Sequence, residues 1–169
     1  MSRFRLRLLT SGFPLLVVGI GLLLSTGCAT SGGEGRDRIR TLYMVTTPVA
    51  MNLDDTPGVD GIGVNLFAFG AGAKAVPLPA GSVEFAAYDA IGILANPPRA
   101  FHTWTFEVAE LKRFRTQAAI GEGYRLLLNW SPKLLLSSRL ALVCRFRPET
   151  GAEVVSEPGF IAALGEPGR

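Results

Sequence analysis

Asn52, Asp54, Asp55 and Asp60 bring four oxygen-bearing side chains into the nine residues NLDDTPGVD. A hard cation such as calcium takes about six to eight oxygens, and backbone carbonyls of a glycine-containing loop can complete such a shell. The spacing does not follow an EF-hand, which alternates its ligands and ends on a distal bidentate Glu. The same side chains also serve as turn formers, because Asn and Asp accept backbone N–H groups close by and Pro57-Gly58 sets a turn. The segment therefore reads either as a self-capped loop or as a cation or partner loop.

Other chemistry is scarce. His102 is the sole histidine, so no two-histidine metal site such as HExxH can form. No G-x-S-x-G elbow and no P-loop is present. His102 alternates with Trp104 and Phe106, the pattern of a packed strand residue rather than of a general base. Trp104, Trp130 and Tyr124 are flat enough to stack on sugar rings, yet Tyr124, Leu126, Leu128 and Trp130 share one phase, which is a core pattern. Cys144 keeps phase with Leu140, Leu142 and Phe146 and reads as a small buried apolar residue. A non-catalytic protein without cofactor is expected.

Charge narrows the partners. The chain carries 17 Lys and Arg against 14 Asp and Glu, but Arg3, Arg5 and Arg7 lie ahead of an apolar stretch. Cleavage before Cys28 would leave 14 basic and 14 acidic groups. A neutral domain lacks the basic surplus on which nucleic-acid affinity depends, so no nucleic-acid partner is expected. With 48% apolar and 18% charged residues, the remainder has the composition of a folded domain.

The first 27 residues have the three parts of a signal peptide: the arginine-bearing start, the apolar run FPLLVVGIGLLL, and the small residues Ser25-Thr26-Gly27. Leu24-Ser25-Thr26-Gly27-Cys28 resembles the lipobox of bacterial lipoproteins, departing from it at Ser25, where that family prefers Leu. The resemblance implies acylation of Cys28, cleavage before it, and, with Ala29 rather than Asp following, sorting to the outer membrane facing the periplasm. The competing reading is an uncleaved anchor, since residues 8–27 are uncharged and reach bilayer-spanning length. Pro14 and the interspersed Gly and Ser suit that reading less well. With Cys28 acylated, Cys144 has no partner for a disulfide within the chain.

Four regions follow: a signal peptide at 1–27, a lipidated tether at 28–37, a β domain at 38–164, and a tail at 165–169. The tether, small and glycine-rich, is expected to be flexible. Between tether and tail the apolar period is two. It predicts strands at 41–47, 62–69, 82–89, 101–106, 124–130, 140–146 and 152–161. Turn signals separate them, among them Pro79-Ala80-Gly81, Asn96-Pro97-Pro98 and Ser131-Pro132. In EVAELKRFR (107–115), Val108, Leu111 and Phe114 recur every third residue and predict a short helix linking two strands, with Glu110 facing Arg113. On the outward phase of their strand, Arg139, Arg145 and Arg147 predict a solvated face or one meeting an acidic partner. Seven strands with one crossover helix predict an all-β fold, a Greek-key β-sandwich of immunoglobulin-like or transthyretin-like type.

The succession NLDDTPGVDGIGVNLFAF, SVEFAAYD, TWTFEVAEL and GYRLLLNW resembles a group of uncharacterised bacterial lipoproteins with a single β-rich domain, over residues 42–158. More distantly, a lipidated Cys28, a short tether and a strand after an Asn/Asp/Pro loop are similar to the outer-membrane lipoprotein subunit of type VI secretion. That family implies a transthyretin-like sandwich and a loop that binds a periplasmic partner. No clear counterpart of its pairing motifs stands in this chain. The expected function is a lipid-anchored binding or assembly module of the envelope with a protein partner. The alternative is a calcium- or glycan-dependent ligand binder using Asn52, Asp54, Asp55 and Asp60.

Overall fold

The computed structural model describes residues 38–89, 92–130 and 139–163. The signal segment, Cys28, the tether and the tail at 165–169 lie outside them. Among the described residues no helix is long and apolar enough to cross a membrane.

The fold is all-β, built from two sheets. The first contains β1 (Thr41–Thr46), β2 (Gly61–Phe69), β3 (Ala75–Val76), β7 (Gly121–Asn129) and β6 (Arg115–Ala118). β2 lies between β1 and β7, and the short β3 pairs with one end of both β2 and β7. The second contains β10 (Gly159–Ala162), β8 (Arg139–Pro148), β4 (Gly81–Asp89) and β5 (His102–Glu107) in that order, with β9 (Val154–Val155) also on β8. The strands named here pair antiparallel except for the β3–β7 contact, and an isolated bridge between Val49 and Ala162 is parallel as well.

Alternation puts one face of each sheet into a shared core. Ile62, Val64, Leu66 and Ala68 of β2 and Tyr124, Leu126 and Leu128 of β7 meet Val83, Phe85 and Ala87 of β4 and Leu140, Leu142, Cys144 and Phe146 of β8. Each large side chain so buried contributes about 1.5–3 kcal/mol relative to exposure. The segment after β1 laces the two sheets together: the Ala162 N–H donates to the Pro48 carbonyl at 2.9 Å, and the Ala50 N–H to the Ala162 carbonyl at 2.8 Å.

Three differences from the sequence expectation have physical causes. The predicted helix at 107–115 is one α-turn, α1 (Val108–Leu111), continued by a 3₁₀ turn at Lys112–Phe114, and Arg115 opens β6. Apolar residues spaced every third position fit three residues per turn, which is the 3₁₀ period. Glu110 does not serve Arg113 as predicted; its carboxylate accepts the Glu107 N–H at 2.8 Å and closes a capping box. Instead, the Arg113 guanidinium lies over the Phe114 ring, 4.7 Å from its centroid. The final predicted strand is broken between β9 and β10, and β3 and β6 add to the predicted set.

A further difference concerns the outer face of the second sheet. Ala86, Tyr88, Ala141 and Val143 are buried there, with Ile93 packed against them. The middle of β8 is thus covered on both faces, which suits its near-continuous apolar run LALVC.

Candidate functional site

The loop carrying the predicted site residues is closed at its neck. The Met51 N–H donates to the Gly61 carbonyl at 2.8 Å, and the Asp60 N–H to the Met51 carbonyl at 2.9 Å. Inside it, side chains serve backbone. Asp60 Oδ1 accepts the Leu53 N–H at 2.6 Å, Asp54 Oδ1 accepts the Thr56 N–H at 2.7 Å, and Asn52 Oδ1 accepts the Asp54 N–H at 3.3 Å. The Asn52 amide donates back to the Thr56 carbonyl at 3.0 Å. Gly58 takes φ 112°, the left-handed region that a side chain resists. Leu53 folds over Gly61, where a Cβ would overlap its side chain.

Of the four predicted residues, Asp60 is buried at 6% exposure, while Asn52, Asp54 and Asp55 are exposed. The Asp60 carbonyl accepts the Trp130 N–H at 2.9 Å and fastens the loop to the end of β7. Among the described residues no group of three or more His, Cys, Asp or Glu stands close enough to hold a metal ion. What the arrangement offers is a fixed acidic prominence with Asp54 and Asp55 on its outer side. Cys28, the predicted lipidation site, lies outside the described residues.

The aromatic residues turn inward. Tyr124 is fully buried, and its hydroxyl accepts the Leu78 N–H at 3.0 Å. Trp130 is buried against Phe101 and Trp104, with ring centroids 5.9 and 6.4 Å away. Its indole N–H finds no acceptor among the described residues. The half-buried Trp104 donates its indole N–H to the Asn129 carbonyl at 2.6 Å and packs on His102, 4.6 Å between centroids. No carboxylate hydrogen-bonds to His102 among the described residues.

Acids within the chain satisfy two of the outward arginines. Glu84 of β4 bridges Arg145 and Arg147 of β8, each at 3.1 Å, and Glu153 adds a contact to Arg147 at 2.6 Å. The Tyr88 hydroxyl accepts from Arg145 at 3.2 Å; this bond and Glu84 hold Arg145 above its ordinary pKa. Sequence reasoning passed over Glu84 because the register that sets it beside Arg145 spans 61 residues. Cys144 is fully buried, and burial pushes its thiol well above the ordinary range, with Arg145 opposing that shift.

A shallow hollow of about 470 Å³ lies at the other end of the sheets from the acidic loop. Arg38, Ile39, Phe146, Pro148, Thr150 and Val154 line it, so it sits where the chain enters β1. No protein-family model matches the chain, and comparison with curated proteins and with solved structures gives no match.

Proposed function

We propose that this chain is a lipid-anchored, non-catalytic binding or assembly module of the bacterial envelope, held at the periplasmic face of the outer membrane through an acylated Cys28. The observation that carries the reading is the ordered run of an arginine-bearing start, an apolar stretch and Leu24-Ser25-Thr26-Gly27-Cys28 directly ahead of the domain. A Greek-key sandwich of immunoglobulin-like or transthyretin-like type is the finer form of the fold within this reading. An envelope protein is the partner, and the loop Asn52–Asp60 is the surface offered to it. Its hydrogen bonds support this choice: a loop held rigid by its own side chains loses little conformational freedom on binding. Those bonds do not favour calcium, because Asn52, Asp54 and Asp60 already direct oxygens at backbone N–H groups.

Cross-linking in intact cells, purification of the protein and mass spectrometry of its neighbours test the proposal, with Cys28→Ala as control. The expected result is an acyl-modified Cys28 and one discrete envelope protein recovered with the wild type alone. An unmodified Cys28, or the same background of abundant proteins from both forms, would overturn it.

A further inference from the structure

The sheets end on β1 and β6, and on β10 and β5. β1 and β10 are closed against each other by the segment after β1, which bonds to Ala162 and bridges it at Val49. β6, RTQA, is short and polar. β5, HTWTFE, differs: it is rich in aromatic and β-branched residues and has neither the Lys nor the Pro that guard an open edge. Register fixes which of its backbone groups are open. The Ser156 N–H donates to the Cys144 carbonyl, so the backbone groups of Cys144 face away from β4. Phe85, opposite Cys144, therefore turns its N–H and carbonyl toward β5, where Trp104 meets them. Thr103 and Thr105, on either side of Trp104, point theirs outward. Both residues are exposed, and these groups have no hydrogen-bond partner among the described residues. The N–H groups that flank them are already used. The Glu107 N–H donates to the Glu110 carboxylate at 2.8 Å, and the Phe101 N–H to the Ala87 carbonyl at 2.8 Å.

We propose that β5 pairs antiparallel with β5 of a second copy of this chain, about a two-fold axis at Trp104, and so extends the second sheet across a homodimer. An open strand edge takes an extended backbone, and the groups left open on this edge select its own copy. With Trp104 opposite Trp104, Thr103 faces Thr105 of the second copy and Thr105 faces its Thr103. Each of these pairs exchanges both N–H···O bonds, so every open group is satisfied and none already engaged is needed. A two-fold axis at Thr105 would call on the Glu107 N–H, and one at Thr103 on the Phe101 N–H. Side chains agree with the axis at Trp104. Thr103 and Thr105 alternate with the core-packed Trp104 and Phe106, so they share the outer face, where cross-strand threonines hydrogen-bond. Glu107 comes opposite Phe101 of the second copy, two residues from its Arg99, an exposed cation that enters no ion pair among the described residues. The pairing uses only the described domain, so it is independent of the reading of Cys28.

The test uses the purified full chain in detergent micelles, as Thr103→Cys and as Thr105→Cys. In the proposed register the Cα atoms of positions 103 and 105 stand about 5.5 Å apart across the interface, within reach of a disulfide. Like positions are diagonal neighbours at about 7–8 Å, beyond that reach. The two variants are purified reduced, mixed and oxidised with copper phenanthroline, and bridged peptides are identified by mass spectrometry. That readout separates any bridge through Cys28, and Cys144 is buried. The mixture is expected to hold a bridge between positions 103 and 105, severalfold above the like-position bridge of either variant alone. A second measurement is sedimentation equilibrium in density-matched detergent. Thr105→Pro removes one open N–H, and an edge strand accepts proline where that N–H faces solvent. The wild type is expected to dimerise with rising concentration, and Thr105→Pro to stay monomeric with the urea midpoint of the wild type. If the proline lowers that midpoint, the mixing result decides alone. Like-position bridges as abundant as the mixed one, or a folded Thr105→Pro chain that still dimerises, would overturn the pairing. A monomeric wild type with no bridge between 103 and 105 would overturn it too, and leave the edge to a foreign strand.

Discussion

The Ser156 hydroxyl accepts the Cys144 N–H at 3.0 Å, while the Ser156 N–H donates to the Cys144 carbonyl at 2.8 Å. Ser156 lies between β9 and β10, where the ladder along β8 is interrupted, and its side chain supplies the acceptor that a backbone carbonyl would have provided. The same hydroxyl donates to the Glu157 carbonyl at 2.9 Å. Ser156 is itself buried, so water has little access to replace it.

Ser156→Ala is therefore expected to destabilise the domain by about 1–3 kcal/mol, the cost of leaving a buried N–H without its partner. Urea denaturation would show a lower midpoint with an unchanged slope. A midpoint equal to that of the wild type would show that the interrupted ladder is satisfied another way.

Tyr124→Phe probes the second long-range polar contact in the core. The ring stays in place and only the hydroxyl that accepts the Leu78 N–H is lost, across 46 residues of sequence. A loss of about 1–2 kcal/mol is expected, because the apolar packing is conserved and the Leu78 N–H is left unpaired. Replacing Leu78 by Ala in the Tyr124→Phe background would add a cavity cost on top.

Two glycines should respond in opposite ways to alanine. Gly121 adopts φ 124°, and a Cβ there would run into the Ala75 backbone at the β3–β7 contact. Gly121→Ala is expected to cost about 2 kcal/mol or more, since backbone strain and steric overlap act together. Gly72 has open space around its Cβ direction, so Gly72→Ala should stay within about 0.5 kcal/mol of wild type. Thermal denaturation of the pair decides whether the β3–β7 junction is as closely packed as its geometry requires.

The strand pattern was legible because alternating apolar residues in β2, β4, β7 and β8 face one shared core, and period-two alternation records that directly. β3 is two residues long and β6 reads RTQA, so neither carries an apolar rhythm. The burial of Ala86 and Ala141 on the second face of β4 and β8 also left no alternation to read. For the candidate loop, the Asn and Asp of NLDDTPGVD announced turn-capping chemistry, since their partners are near in sequence. Ser156 and Glu84 were illegible for the opposite reason. Their partners Cys144 and Arg145 become neighbours only once strand register is known.

Calcium offers a direct check on the self-capped loop. A cation binding only the folded state would raise stability by about 2.7 kcal/mol at a hundredfold excess over its dissociation constant. With Asn52, Asp54 and Asp60 serving backbone N–H groups, Tm is expected to be the same in millimolar calcium and in chelator. A rise in calcium that Asp54→Asn with Asp55→Asn abolishes would instead mean that the loop rearranges around the ion.

Cys144 makes stability depend on alkaline pH. Its thiol ionises at an ordinary value near 9.0 when exposed, and burial raises that value strongly in the fold. The raised group contributes stability in full below pH 9 and loses it as pH climbs, because above that point the unfolded chain releases a proton that the folded chain retains. Near pH 10 the loss amounts to about 1 kcal/mol, with a limiting slope of about 1.4 kcal/mol per pH unit. Cys144→Ala removes the titrating group at the cost of a small cavity, so its stability at neutral pH is lower but its decline between pH 8 and pH 10 is shallower. Parallel urea titrations of the two proteins across that range measure the difference in slope. Identical slopes would mean that the Cys144 thiol is ionised as readily in the fold as outside it, and that the β8 core admits solvent.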